Sequence, residues 1–392
     1  MATNRKITVP RREVLKQMGG CALGAACACY LGNRAYGAPA PVATTLPVGD
    51  RSVHLADPKY LEPGKEKDEV ACLVCPNHCH PAPGERSKCR TRVNHDGKLY
   101  SHAYNNPCIL TLDPPEKLPI YHYIPGTKVL TVATAGCNLH CLYCQNFAQS
   151  QVAPEQLKNF YVPPEDAVKA AIDKKVSAIA YTYTDPVAFY EYSRDIAALA
   201  HEKGLKVIFG TGGYINTDPL KEWCKYADMF AITLKAFDEK FYEDVIGGEL
   251  KVVQETMQTI KSEGKWLEIA CLIVPGYNDD ITKINAMCKW VNKNLGPDTP
   301  IHFERFAPMH KLNDLPRTPL QTLEACRKAA LDAGQKYSYL CNVSPHEANN
   351  TYCPKCQIAL VKRLGFSTLE NLIVKGKCSK CGEQIAGLWA DA

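Results

Sequence analysis

The chain has 392 residues, with 46 Lys and Arg against 41 Asp and Glu, 46% hydrophobic and 22% charged residues. This is a globular balance, long enough for one large core with smaller satellites, and it excludes wholesale disorder. The formal excess of +5 lies in residues 1–37, where six basic side chains stand against Glu13 alone, so the balanced remainder offers no electrostatic basis for gripping nucleic acid or anionic lipid.

Arg11-Arg12-Glu13-Val14-Leu15-Lys16 opens the chain's first patterned segment, followed by a mildly apolar run from Met18 to Gly32 and a small-residue end at Asn33 to Ala38. The order of charged, apolar and small residues predicts a signal peptide over 1–37, cleaved after Gly37. Its twin arginine resembles Tat signals, which export folded, cofactor-loaded proteins to the periplasm or cell surface. An uncleaved N-terminus on a cytoplasmic protein is the alternative, and Cys21 and Cys27 each end a poor lipobox. No other stretch reaches the ~18 consecutive apolar residues of a spanning helix, so none is expected in the mature chain.

Residues 38–70 are Pro-rich and polar and read as a linker or extended arm. Residues 71–125 form a region with four clustered cysteines. From 126 to 345 short β-rich runs at 128–135, 177–183, 206–211, 228–234, 266–274 and 300–307 alternate with helix-patterned segments, six βα units in succession. Asp185 is an N-cap candidate, Pro186 suits the first helical position, and Gly204 ends that helix. About 200 residues fall short of the ~250 of a closed eight-fold barrel, so an α/β fold with an open partial (β/α)6 barrel is predicted, its chemistry at the carboxyl ends of the strands. Residues 346–392 form a small unit with two Cys pairs.

Twenty cysteines are too sparse in a chain this long for a disulfide mini-scaffold, and their clustering points to metal. Cys137, Cys141 and Cys144 have the spacing C-x3-C-x2-C in the loop after the first strand of the repeat. Three thiolates there can hold three irons of a [4Fe–4S] cluster and leave the fourth open to a small molecule. A structural zinc would need a fourth ligand, such as His140.

With Tyr143 before the third cysteine, this motif and its place after strand one resemble the radical S-adenosylmethionine (SAM) superfamily. The resemblance implies that SAM chelates the open iron, and that one electron from a donor cleaves it to a 5′-deoxyadenosyl radical that abstracts hydrogen from substrate. It implies further that Tyr143 lies near the adenine. Thr184 and Asp185, in Tyr183-Thr184-Asp185-Pro186, stand where relatives bind the methionine amino group, and Asp185 doubles as a helix cap. Gly212, in Gly210-Thr211-Gly212-Gly213-Tyr214, lies near the ribose, although a simple turn also explains these glycines. Lys235 stands where relatives carry Asp-Leu-Lys and can pair with a SAM carboxylate, but Thr233 replaces the acid.

Cys72, Cys75, Cys79 and Cys89 have the capacity for a closed zinc or a second iron–sulfur cluster, and spacing does not choose between them. Cys353, Cys356, Cys378 and Cys381 read as a structural zinc ribbon or rubredoxin-like iron site. Disulfides are the alternative for both groups in an exported chain. The span from Cys72 to Trp389, including Asn106-Pro107-Cys108, Asp113 to Lys117, Val274 to Asp279 and His302 to Phe306, resembles the radical SAM enzymes of the AmmeMemoRadiSam system, relatives of pyruvate formate-lyase activating enzymes. That resemblance implies an enzyme acting on a protein, peptide or small substrate. An exported Fe–S electron-transfer protein that has lost SAM turnover is the second reading, motivated by Thr233 and the export signal. His302 and Glu304 share one strand face and either point to the barrel mouth or form a satisfied strand pair. Cys108 and Cys341 have no assigned role, and Cys224, Cys271, Cys288 and Cys326 read as buried hydrophobes.

Overall fold

The computed structural model describes residues 53–389. The expected signal peptide, with Arg11, Arg12 and its three cysteines, lies outside the described residues, as does the first part of the expected linker. Within them, an eight-stranded sheet organises the chain: β1 (Pro107–Asp113), β2 (Val129–Thr134), β3 (Ala178–Tyr181), β4 (Lys206–Thr211), β5 (Met229–Thr233), β6 (Trp266–Ile273), β7 (Ile301–Arg305) and β8 (Ser338–Cys341). They lie in sequence order across the sheet, and all neighbours are parallel except β1, which runs antiparallel to β2.

Helices α1 (Pro164–Asp173), α2 (Tyr190–Glu202), α3 (Thr217–Cys224), α4 (Leu250–Ser262), α5 (Ile281–Leu295) and α6 (Leu320–Asp332) follow β2 to β7 one for one, so the six predicted βα units are present. The sheet is wider than expected by β1 and β8. Both were hidden in sequence: β1 alternates weakly, and β8 is four residues long.

One sheet face carries Val132, Tyr181, Phe209, Phe230, Ile232, Leu267 and Phe303, and these pack beneath the helices into the main core. The other face is lined low down by small side chains, Ala178, Ala180 and Ala231, which leave room for Leu118, Ile120 and Tyr123 to cover it. Residues 115–124 thus form an internal plug.

From residue 53 onward the stretch expected to be a linker is part of the folded body. Tyr60 is buried with its ring edge-on to Tyr190 at 5.3 Å, and Asp57 pairs with Arg194. Proline and charge made it look like an arm; one tyrosine and one carboxylate anchor it. Arg92 and Glu191 secure the same region through a doubly bonded, fully buried pair at 2.9 and 2.8 Å. The C-terminal cysteine segment packs on the plug, where Arg363 donates to the Tyr121 carbonyl at 2.9 Å and lies 4.2 Å over the Tyr121 ring. No described helix is long and apolar enough to cross a membrane.

Candidate active site

The site grows from the carboxyl ends of β2 to β5. After β2 the chain turns at Gly136, whose φ is +90° and whose missing Cβ would lie 2.5 Å from the Cys89 carbonyl oxygen. Only glycine suits both demands. The following loop carries Cys137, Cys141 and Cys144. It is held by the N–H groups of His140 and Leu142, which donate to the Ile246 and Val245 carbonyls at 2.8 and 3.0 Å.

Cys137 Sγ accepts the Leu139 N–H at 3.4 Å, and Cys144 Sγ lies 3.1 Å from Ser150 Oγ. Burial pushes the Cys137 and Cys141 thiols up; the Asp185 carboxylate adds to this at Cys137, while Lys235 opposes it at Cys141. Thiolates in such a place need compensating positive charge, which a metal centre supplies. The three sulfurs are not drawn together as ligands of one ion would be. Three thiols in one loop are the donor set of an iron–sulfur cluster with one iron left open.

Asp185 caps the turn Pro186–Phe189 that leads into α2, accepting the Val187 N–H at 3.1 Å. It also accepts Thr211 Oγ1 at 2.8 Å and the Gly212 N–H at 2.7 Å. Three donors leave about one of its roughly four acceptor positions for a ligand. Burial raises its pKa, against the pull of these donors and of Lys235. A Cβ on Gly212 would stand 2.7 Å from Leu139 Cδ1, 3.3 Å from Asp185 Oδ2 and 3.5 Å from Lys235 Cε, so hydrogen at this position keeps a cradle open between the triplet loop, the acid and the base.

Lys235 follows β5, its backbone fixed by Tyr242 Oη at 3.0 Å and Asn278 Nδ2 at 2.7 Å. Burial works against its ammonium group, but Cys141, Cys137, Cys144 and Asp185 outweigh it and raise its pKa. Where Thr233 brings no charge, Asp185 stands on the same side of the cradle as Lys235 and is the acid within its reach. Tyr143 is buried 6.2 Å from Phe241, and its hydroxyl has no protein partner. Thr184, beside Asp185, donates its hydroxyl to the Thr134 carbonyl at 2.8 Å, which ties two strand ends together.

The C-terminal cysteines behave differently. Cys353, Cys356, Cys378 and Cys381 have sulfurs all within 4.8 Å of one another, with Cys353 to Cys381 at 3.6 Å and Cys356 to Cys378 at 3.7 Å. A single tetrahedral ion with ~2.3 Å bonds to sulfur would have edges of about 3.8 Å. The set is a ready metal site. Cys72, Cys75, Cys79 and Cys89 instead line one cavity beside the triplet loop.

Inside the sheet, His302 is satisfied rather than free, with Nε2 2.7 Å from Glu268 Oε2. Glu268 also accepts the N–H groups of Tyr121 and His122 at 3.0 and 2.9 Å, which fastens the plug. Burial opposes its charge, yet the His302 hydrogen bond leads a set of donors that lowers its pKa to about 2. Glu304, two residues beyond His302 and toward the mouth, is raised to about 7 by burial, with Lys235 opposing. Cys341 lies 3.4 Å from Tyr121 Oη and 3.7 Å from His302 Nδ1. Cys224, Cys271, Cys288 and Cys326 are buried as expected, and Cys108 is half-buried on the edge strand β1. Glu268 and Asn138 were missed in sequence. A lone acid in the apolar run Trp266–Ile273 was the available signal for the first; nothing local distinguished the second.

The Radical SAM superfamily profile matches residues 131–285, which hold the triplet, Asp185, Gly212 and Lys235. The chain is 41% identical over 322 residues to the uncharacterized protein MJ0808 of Methanocaldococcus jannaschii, across 82% of this chain and 96% of that protein. It is 26% identical over 123 residues to the benzylsuccinate synthase activating enzyme of Thauera aromatica, across 31% and 37% of the two chains. A domain of pyruvate-formate lyase-activating enzyme from Bacteroides vulgatus aligns at a TM-score of 0.37 and 13% identity, across 42% of this chain and 98% of that one. With its three-cysteine loop at the head of a mostly parallel sheet, the chain belongs to the Radical SAM superfamily.

Proposed function

We propose that the protein is an enzyme that reductively cleaves SAM at a [4Fe–4S] cluster and uses the product to abstract hydrogen from a protein, peptide or small-molecule substrate. The observation that carries this reading is the convergence of Cys137, Cys141 and Cys144 with Asp185, Gly212 and Lys235 on one cradle. When bound, the cluster and SAM supply the electron and the 5′-deoxyadenosyl radical. The chain's own residues bind and orient. The three thiolates hold three irons, the Lys235 ammonium offers charge to a carboxylate, the free acceptor position of Asp185 receives an amino group, and the buried Tyr143 ring flanks the adenine. Burial of the cradle excludes water.

Similarity to an activating enzyme favours the protein or peptide end of the substrate range, of the AmmeMemoRadiSam or pyruvate formate-lyase activating type, and requires a one-electron donor. The partial-barrel reading of the open sheet goes with it. At the C-terminal cysteines the sulfur spacing supports a zinc-ribbon site. Arg11 and Arg12 support export by a Tat-like route, which a reporter fused after residue 45 would show as export lost on changing both arginines.

Anaerobic reconstitution, dithionite reduction and SAM addition test the activity. 5′-Deoxyadenosine should form, and SAM should alter the EPR signal of the reduced cluster. Neither response would leave the electron-transfer reading in its place.

A further inference from the structure

Two four-cysteine sets in one chain are built to different spacings. The C-terminal sulfurs crowd within 4.8 Å, whereas those of Cys72, Cys75, Cys79 and Cys89 do not, although all four line a single cavity. Thiolates on the corners of a four-iron cluster stand further apart than those around one ion, because iron and sulfide fill the space between them.

The surroundings suit sulfur ligands. Lys88 N–H points to Cys79 Sγ at 3.4 Å and Asn77 Nδ2 to Cys75 Sγ at 3.7 Å. Ser87 Oγ and Thr91 Oγ1 lie 3.0 and 3.1 Å from Cys89 Sγ. Such contacts steady ligating sulfurs and tune a cluster's potential.

The cavity also shares a wall with the catalytic loop. Asn138, between Cys137 and Cys141, lines it, and the Asn138 carbonyl accepts Asn77 Nδ2 at 2.7 Å. Asn138 Oδ1 is buried without a partner. On the other side the Cys89 carbonyl presses against Gly136, one residue before Cys137.

We propose that Cys72, Cys75, Cys79 and Cys89 hold a second four-iron cluster, which relays single electrons into the Cys137–Cys144 site. One electron enters from a low-potential one-electron reductant and one leaves to the neighbouring site, with no net change and no bond made or broken. The relay, though not the metal site, rests on the proposed SAM chemistry.

Holoprotein reconstituted anaerobically with iron and sulfide should carry roughly eight irons. The Cys137→Ala/Cys141→Ala/Cys144→Ala variant should keep about four, with a cluster visible by Mössbauer and EPR spectroscopy. Cys75→Ser/Cys79→Ser should also keep about four, with a SAM-responsive signal. Circular dichroism and C-terminal metal content report folding. A triplet variant that binds zinc in place of iron, or that shows two disulfides on thiol titration, overturns the second cluster. For the relay, doubly reduced wild type should show spin–spin broadening, and Cys75→Ser/Cys79→Ser should slow reduction of the remaining cluster by flavodoxin semiquinone/hydroquinone at least tenfold. Unbroadened signals with an unchanged rate overturn it. Should wild type cleave no SAM while the triplet variant still holds iron, the second site stands and the catalytic reading falls.

Discussion

Asp185 Oδ2 accepts the Gly212 N–H at 2.7 Å, joining the carboxyl ends of β3 and β4 at the point where Lys235 arrives from β5. One short bond thus sets the width of the cradle. The same carboxylate caps the turn that leads into α2, its Oδ1 accepting the Val187 N–H at 3.1 Å, so one acid closes a turn and bridges to the next strand.

Gly212→Ala tests that width. The added Cβ meets Leu139 Cδ1, the far end of a flexible side chain, and then Asp185 and Lys235. The protein should fold and bind iron as before, while SAM affinity by equilibrium dialysis falls at least tenfold. Unchanged affinity would show that the ligand does not enter between these residues.

Cys141→Ala should lower bound iron by about four per chain and leave the C-terminal metal untouched, as read by elemental analysis. Loss of both metals would mean that the two sites are not independently formed.

Glu304 ties stability to pH. Burial raises its pKa from the ordinary 4.5 to about 7, so the folded state holds this proton more tightly than the unfolded chain does. Its protonated form is fully accommodated below pH 4.5, and stability is lost as pH rises from there through about 7. Glu304→Gln should remove this decline, and its stability advantage over wild type in urea melts should grow by on the order of 2 kcal/mol between pH 5 and pH 8. A constant difference across that range would refute the assignment.

Arg92 and Glu191 are buried together with two hydrogen bonds between them. Arg92→Met leaves a carboxylate unpaired in the core and should cost about 3 to 5 kcal/mol in denaturant unfolding. Adding Glu191→Leu should recover much of this loss; additive losses would show that the two side chains are not coupled.

Much of the fold was readable because its signals are local. Hydrophobic phasing placed β2 to β7 within a few residues, and Asp185, Pro186 and Gly204 bracketed the second βα helix. β1 and β8 escaped because partners distant in sequence make them strands: β1 pairs antiparallel with β2, and β8 extends the sheet beyond β7. The plug escaped for the same reason, being fastened by Glu268 and Arg363, 146 and 242 positions away from the residues they hold.

By itself the sequence determined the chemistry on offer: three thiols in one loop, two sets of four, an acid, glycines and a lysine at strand ends. Spacing along a chain is covalent and is read directly. Only the tertiary structure decided the distances between segments, which depend on packing across the sheet. It separated a four-cysteine set drawn to single-ion spacing from one opened around a cavity, brought Asp185 beside Lys235 where Thr233 carries no charge, and tied the Thr184 hydroxyl to a neighbouring strand end.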